Sequence, residues 1–180
     1  MTRILFGLVL LTVSPLGAQT LRVGLAYGGK VALEGSSANR GSQVLGVLEV
    51  GGRRSPVAMR VDGVYGGVRD NGGVRSRLTG GSANLVYHIG APASPERGYL
   101  LAGLGVYHVS ATFDLPLMCP DTTCSRDRSS TSGGYGVGAG MSFGTGPIRL
   151  VSEARYINIS VAADHPTTFF LISAGISFGN

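Results

Sequence analysis

Seven charged residues interrupt a chain that otherwise alternates apolar and small side chains: Arg22, Glu49, Arg60, Asp62, Arg149, Glu153 and Arg155. If all seven face one confined space, they can pair into a salt-bridge plug, or line a constriction that selects small solutes. His108, Ser110 and Asp114 have the residue types of a hydrolase triad. His108 and Ser110 share a strand face, but Asp114 falls in a loop and no oxyanion motif accompanies them. A histidine at a polar–apolar boundary accounts for His108, whose ring has an apolar body and a polar edge. His88 and His165 carry no partner argument. Gly134-Tyr-Gly-Val-Gly-Ala-Gly140 superficially resembles a phosphate-cradling loop but lacks the Lys-Ser/Thr ending and the helix that such a loop feeds. It reads instead as inward glycines of a strand.

The only cysteines stand in Cys119-Pro-Asp-Thr-Thr-Cys124. In an exported chain they are expected to form one disulfide that staples a loop. A metal site wants four ligands, and no histidine or second cysteine pair lies at a suitable spacing, so neither a metal nor another cofactor is expected. The formal charge of +5 permits a nucleic-acid partner. The basic residues are scattered through strands and turns rather than gathered with aromatics, which argues against one.

The elements that must position these residues show a period of two. Leu21, Val23, Leu25 and Tyr27 alternate with Arg22, Gly24, Ala26 and Gly28. Val44 to Val50, Val57 to Tyr65, Leu78 to His88, Tyr99 to Val109, Gly133 to Phe143, Ile148 to Tyr156 and Phe170 to Phe178 continue the pattern. Eight strands emerge. Short turns at 51–56, 90–97 and 144–147 alternate with longer loops at 30–42, 66–77, 110–132 and 158–166. The fold class is therefore all-β, an eight-stranded antiparallel up-and-down transmembrane barrel, with aliphatic side chains outward and charges and glycines inward. A lipid-facing charge at mid-bilayer costs about 2 to 4 kcal/mol, which is why the seven charges must face the lumen. The glycines at 103, 105, 134, 136, 138 and 140 would leave one interior wall bare and make room for arginines from the opposite wall. Tyr27, Tyr65, Tyr87, Tyr99, Tyr107 and Tyr156 sit near strand ends, where an interfacial aromatic girdle is expected.

Glycine supplies 30 of 180 residues, far above the average of about 7%, and neither a Gly-X-Y period nor enough proline is present for collagen. The alternating strands explain it better. Residues 1–18 read as a signal peptide: Arg3 in a short basic region, a greasy stretch from Ile4 to Val13, and Leu16-Gly-Ala18 as cleavage site. Residues 19–180 form one barrel domain, and beyond the signal no apolar run reaches the roughly 18 residues of a spanning helix.

On these patterns the chain resembles the small bacterial outer-membrane β-barrel domain family, which includes the OmpA transmembrane domain, OmpX-like and OmpW-like proteins and opacity-like surface antigens. The local matches are Tyr99-Leu-Leu-Ala-Gly-Leu-Gly-Val-Tyr107, Gly134 to Gly140, Glu153-Ala-Arg-Tyr156 and Ile172-Ser-Ala-Gly-Ile-Ser-Phe178. The family usually ends on a terminal aromatic read by the barrel-insertion machinery, whereas here Gly179-Asn180 follow Phe178. The resemblance implies an outer-membrane location and contact with membrane lipid and lipopolysaccharide. A monomer of envelope-structural or surface-interaction role, without enzyme activity, is the expectation. A small-solute channel of OmpW type is the alternative, ahead of a lipid-modifying barrel enzyme or a soluble lipocalin-like binder. Phe113, Leu115, Leu117 and Met118 make the loop at 110–132 apolar enough for a surface partner, unless they simply extend the fifth strand and its hairpin.

Overall fold

The structure is a computed structural model that describes residues 19–32, 39–69, 74–91, 94–114, 125–160 and 167–179. The signal segment 1–18 and both cysteines lie outside the described residues. Eight strands follow in chain order: β1 (Gln19–Ala32), β2 (Asn39–Gly52), β3 (Val57–Arg69), β4 (Val74–Ile89), β5 (Glu96–Asp114), β6 (Ser125–Phe143), β7 (Ile148–Ile159) and β8 (Thr167–Gly179). Each pairs antiparallel with the next, and β8 closes on β1 through a register that sets Leu25 opposite Ile176. Closure leaves no strand edge unpaired, the condition for a sheet that stands in hydrocarbon.

The alternation sorts side chains as the period requires. Leu25, Val61, Leu85, Leu104, Val137, Leu150 and Ile172 are exposed on the outer wall, while their strand neighbours are buried or half-buried in the lumen. At the short-turn end Gly144 and Gly146 take φ of +134° and +90°, a backbone that side-chain-bearing residues rarely adopt, and so let β6 double back into β7. The lumen is the core. Its long-loop half holds an apolar cluster of Leu45, Val64, Leu78, Tyr107, Ile157, Ile159, Phe169 and Leu171. A smaller cluster of Ala58, Val86, Tyr99 and Leu101 packs toward the short turns.

Three sequence expectations are corrected here. The long loops are shorter than their polarity suggests, most of all the segment 110–132, because β5 runs to Asp114 and β6 begins at Ser125. The all-polar start of β6, Ser125 to Ser130, pairs with Val109 to Asp114 of β5, so pairing continues where the alternation of β6 has ended. Tyr99 and Tyr107 do not belong to the girdle; they share the inward parity of Gly103 and Gly105 and are 4% and 2% exposed. The glycine wall is not bare either. A Cβ at Gly140 would collide with the Tyr99 ring, and one at Gly105 with Tyr107. The glycines therefore accommodate tyrosines rooted on β5 itself, in addition to Arg155, which lies against Gly138.

Lys30 is corrected with them. It lies within β1 rather than in a loop, 2% exposed, with its ammonium 5.4 Å from the centre of the Phe169 ring. A cation–π contact of this kind gives a buried ammonium some compensation for lost water.

Candidate functional site

Mid-lumen, four of the seven charges form a closed ring. Arg60 Nε donates to Asp62 Oδ1 at 2.7 Å and Arg60 Nη1 to Glu153 Oε2 at 2.7 Å. Arg155 completes it, with Nη1 at 2.7 Å from Asp62 Oδ2 and Nη2 at 2.7 Å from Glu153 Oε1. Two positive and two negative groups balance. Their placement follows from the strands: Arg60 and Asp62 are next-but-one residues on β3, Glu153 and Arg155 on β7, and each pair therefore points the same way. With eight strands in closed order, β3 and β7 stand on opposite walls, so the ring bridges the lumen across its width.

Neutral groups fill the remaining bonding capacity. The Tyr99 hydroxyl donates to Glu153 Oε2 at 2.8 Å, and Asn84 Nδ2 donates to Asp62 Oδ2 at 2.8 Å and to Ser82 Oγ at 3.0 Å. The Arg60 guanidinium also lies 5.9 Å from the Tyr99 ring centre. Buried charges persist only when paired and hydrogen-bonded in this manner. Tyr99 is thus a member of the network that residue type alone conceals.

The other three charges lie nearer the short turns and do not join the ring. Glu49 accepts from His88 Nε2 at 3.0 Å, so His88 has the partner that its sequence position does not disclose. The two sit on β2 and β4, which are not neighbours, so the contact reaches across β3 on the lumen side. Arg149 donates through Nε to the Gly144 carbonyl at 3.2 Å and through Nη2 to the carbonyls of Gly144 and Ser94, tying the β6–β7 turn to the β4–β5 turn. Arg22 lies opposite Glu49 in the β1–β2 register and lines a cavity of about 280 Å³ with Glu49, His88 and Arg97.

Of the triad types, Asp114 ends β5 rather than falling in a loop. His108 is exposed on the outer face of β5, where its Nδ1 lies 2.9 Å from Thr131 Oγ1. Ser110 follows on the same face, and the side chain of Asp114 lies outside the described residues. Among the described residues no group of three histidine, cysteine or acidic side chains gathers to hold a metal.

The outer wall marks the height of a membrane. Tyr27 and Tyr65 share one register row with Thr79, His108 and Thr131. Below that row the outward residues of β5 and β6 are Val106, Leu104 and Leu100, and Tyr135, Val137 and Met141. Above it the outward positions of the two strands turn polar, with Ser110 and Ser129, while pairing continues to Asp114 and Ser125.

No protein-family model matches the chain, and no curated protein sequence matches it significantly. Solved structures do. Neisserial surface protein A (NspA) superposes with a TM-score of 0.71 at 21% identity, covering 88% of this chain and 96% of that one. Ail, the attachment invasion locus protein of Yersinia pestis, solved with the heparin analogue sucrose octasulfate, gives 0.53 at 20% identity over 89% and 99%. The outer membrane enzyme PagL gives 0.57 at 15% identity over 87% and 98%. With its closed sheet, alternating short and long connections and continuous apolar outer wall, the chain has the fold of the small eight-stranded β-barrels of the bacterial outer membrane.

Proposed function

We propose that the protein is a non-enzymatic, monomeric outer-membrane barrel with a closed lumen, and that its work is done at the cell surface by the β5–β6 hairpin. The observation that carries this reading is the length of that hairpin. Each of its strands has 19 residues, whereas crossing a bilayer takes about 9 to 11. Of this excess, the six residues of each strand beyond the row of His108 and Thr131, about 20 Å at 3.4 Å per residue, stand clear of the hydrocarbon. The polar turn at His108 and Thr131 puts that excess on the long-loop side. In the outer membrane the long loops face outward and the short turns face the periplasm. Ordered backbone raised above a membrane is a platform for contact. The sulfated sugar in the Ail structure makes an anionic polysaccharide the first partner chemistry to try, with Arg126 and Arg128 in the projecting part of β6.

Cys119 and Cys124, at the tip of this hairpin in sequence, are proposed to be disulfide-bonded in the mature protein that begins at Gln19. One experiment tests both the bond and the surface placement. On intact cells, a membrane-impermeant maleimide is expected to label the pair only after mild reduction. Labelling without reduction would refute the bond, and failure to label after reduction would refute the placement.

The closed lumen supports the structural reading over the small-solute channel. Above the four-charge ring the apolar cluster fills the barrel, and an eight-stranded barrel is only just wide enough to be filled by its own side chains. In a planar bilayer under symmetric salt the refolded protein is expected to give no discrete conductance steps. Reproducible steps that change with Arg60→Ala would establish the channel reading instead. The PagL likeness keeps a lipid-modifying enzyme as the remaining reading, and His108 beside Ser110 on the outer face of β5 is where its chemistry would lie.

A further inference from the structure

The short-turn mouth of the lumen carries more positive charge than its partners neutralise. Arg22, Arg53 and Arg97 line its cavity of about 280 Å³, and among the described residues the one carboxylate in that lining is Glu49, which already accepts from His88. Arg22 and Arg149 stand close enough to Arg97 to repel it, and Glu49 offsets this in part. Arg97 is only 7% exposed, yet its Nε is buried and meets no acceptor among the described residues. His88 Nδ1, on the same cavity wall, likewise meets no partner. Arg149 is committed to backbone carbonyls, which hold a guanidinium without cancelling its charge. A buried guanidinium surrounded by like charge is costly until an anion joins it. Its planar fork matches the two oxygens of a phosphate or similar oxyanion.

We propose that this mouth is a binding site for a small phosphate-type oxyanion, with Arg97 as the central ligand and Arg22 beside it. The cavity is large enough for a phosphate group together with a short attached chain. Both a free phosphate ester and the phosphodiester of a lipid headgroup present this chemistry. The proposal borrows from the membrane reading only the direction in which the mouth opens, toward the periplasm. Binding itself can be measured in detergent, apart from location, conductance or surface partner.

Inorganic phosphate is titrated by calorimetry into the barrel folded in a neutral maltoside, with ionic strength held constant by sodium chloride. About one phosphate per chain is expected to bind saturably. Arg97→Gln and Arg22→Gln are each expected to weaken it on the order of tenfold or more, in keeping with loss of a charge-assisted fork. Glu49→Gln, which removes the competing carboxylate, is expected to tighten it. Arg54→Gln, an exposed charge in the β2–β3 turn outside the cavity lining, is expected to leave it unchanged. The heat-dependent gel shift verifies that each variant is folded. Competition then separates the sources: displacement by glycerol 3-phosphate alone assigns a free ester, and displacement by dihexanoyl phosphatidylglycerol as well assigns a headgroup. Equal binding in Arg97→Gln and wild type, an equal loss in Arg54→Gln, or no saturable binding by wild type overturns the proposal.

Discussion

Glu153→Ala is expected to be among the most damaging single substitutions in the barrel, lowering the unfolding free energy by about 3 to 5 kcal/mol. The carboxylate holds Arg60 through Oε2 and Arg155 through Oε1, and it accepts the Tyr99 hydroxyl. Its removal leaves two buried guanidiniums sharing Asp62, a net positive charge in a space without bulk water, and a tyrosine hydroxyl without its acceptor. A buried ion pair need not stabilise relative to well-packed apolar residues, whereas breaking one from a single side is expensive. That asymmetry supplies an internal control. The double variant Arg60→Leu, Glu153→Leu keeps Asp62 and Arg155 as a balanced pair 2.7 Å apart and should recover most of the loss. Denaturant unfolding in lipid vesicles provides the measurement. A Glu153→Ala midpoint equal to wild type would mean that water solvates the ring, which would favour a conducting lumen.

How far such a ring is legible in the sequence depends on what alternation can and cannot report. Parity on one strand identifies Arg60 with Asp62, and Glu153 with Arg155, as inward pairs. It cannot say which pairs meet across the barrel, because that depends on strand order and shear. The ring becomes specific only once β3 and β7 are known to face each other. For the same reason His88 finds Glu49 without any signal in either strand. Tyr99 and Tyr107 illustrate a different gap: residue type places them in an interfacial girdle, yet their parity with Gly103 and Gly105 places them inside, and parity decides. The apolar half of the lumen is hidden for a third reason. At Phe169 and Leu171 the inward residue is no more polar than the outward Phe170 and Ile172, and at Ile157 and Ile159 it is more apolar than the outward Asn158 between them, so the contrast on which a period-two reading rests disappears or inverts. The β6 side of the β5–β6 extension is the converse case, polar at every position from Ser125 to Ser130 and still paired.

Val137→Arg tests the other side of the wall. Val137 lies near the middle of the outer face of β6, half exposed, between Tyr135 and Met141 and opposite Ala102 on β5 and Tyr156 on β7. An arginine there places a charge in hydrocarbon at a cost of about 2 to 4 kcal/mol, greatest at the midplane. Snorkelling offers only partial relief, since several residues of strand separate this position from either edge of the apolar belt. Gly136→Ala, one residue away on the lumen face, sets the comparison. Its added Cβ would approach the Tyr156 carbonyl to 3.3 Å and the Ile157 side chain to 3.5 Å, a crowding that small shifts can absorb. The fraction folded into lipid vesicles, read from the heat-dependent gel shift, should therefore fall far more for Val137→Arg than for Gly136→Ala. The same arginine should be tolerated much better in a neutral detergent micelle, whose apolar layer is thin and deformable. Equal tolerance of the two variants in vesicles would mean that the outward face does not meet lipid. The soluble, lipocalin-like reading would then have to explain why Leu104, 72% exposed, and the rest of the apolar belt stand in water.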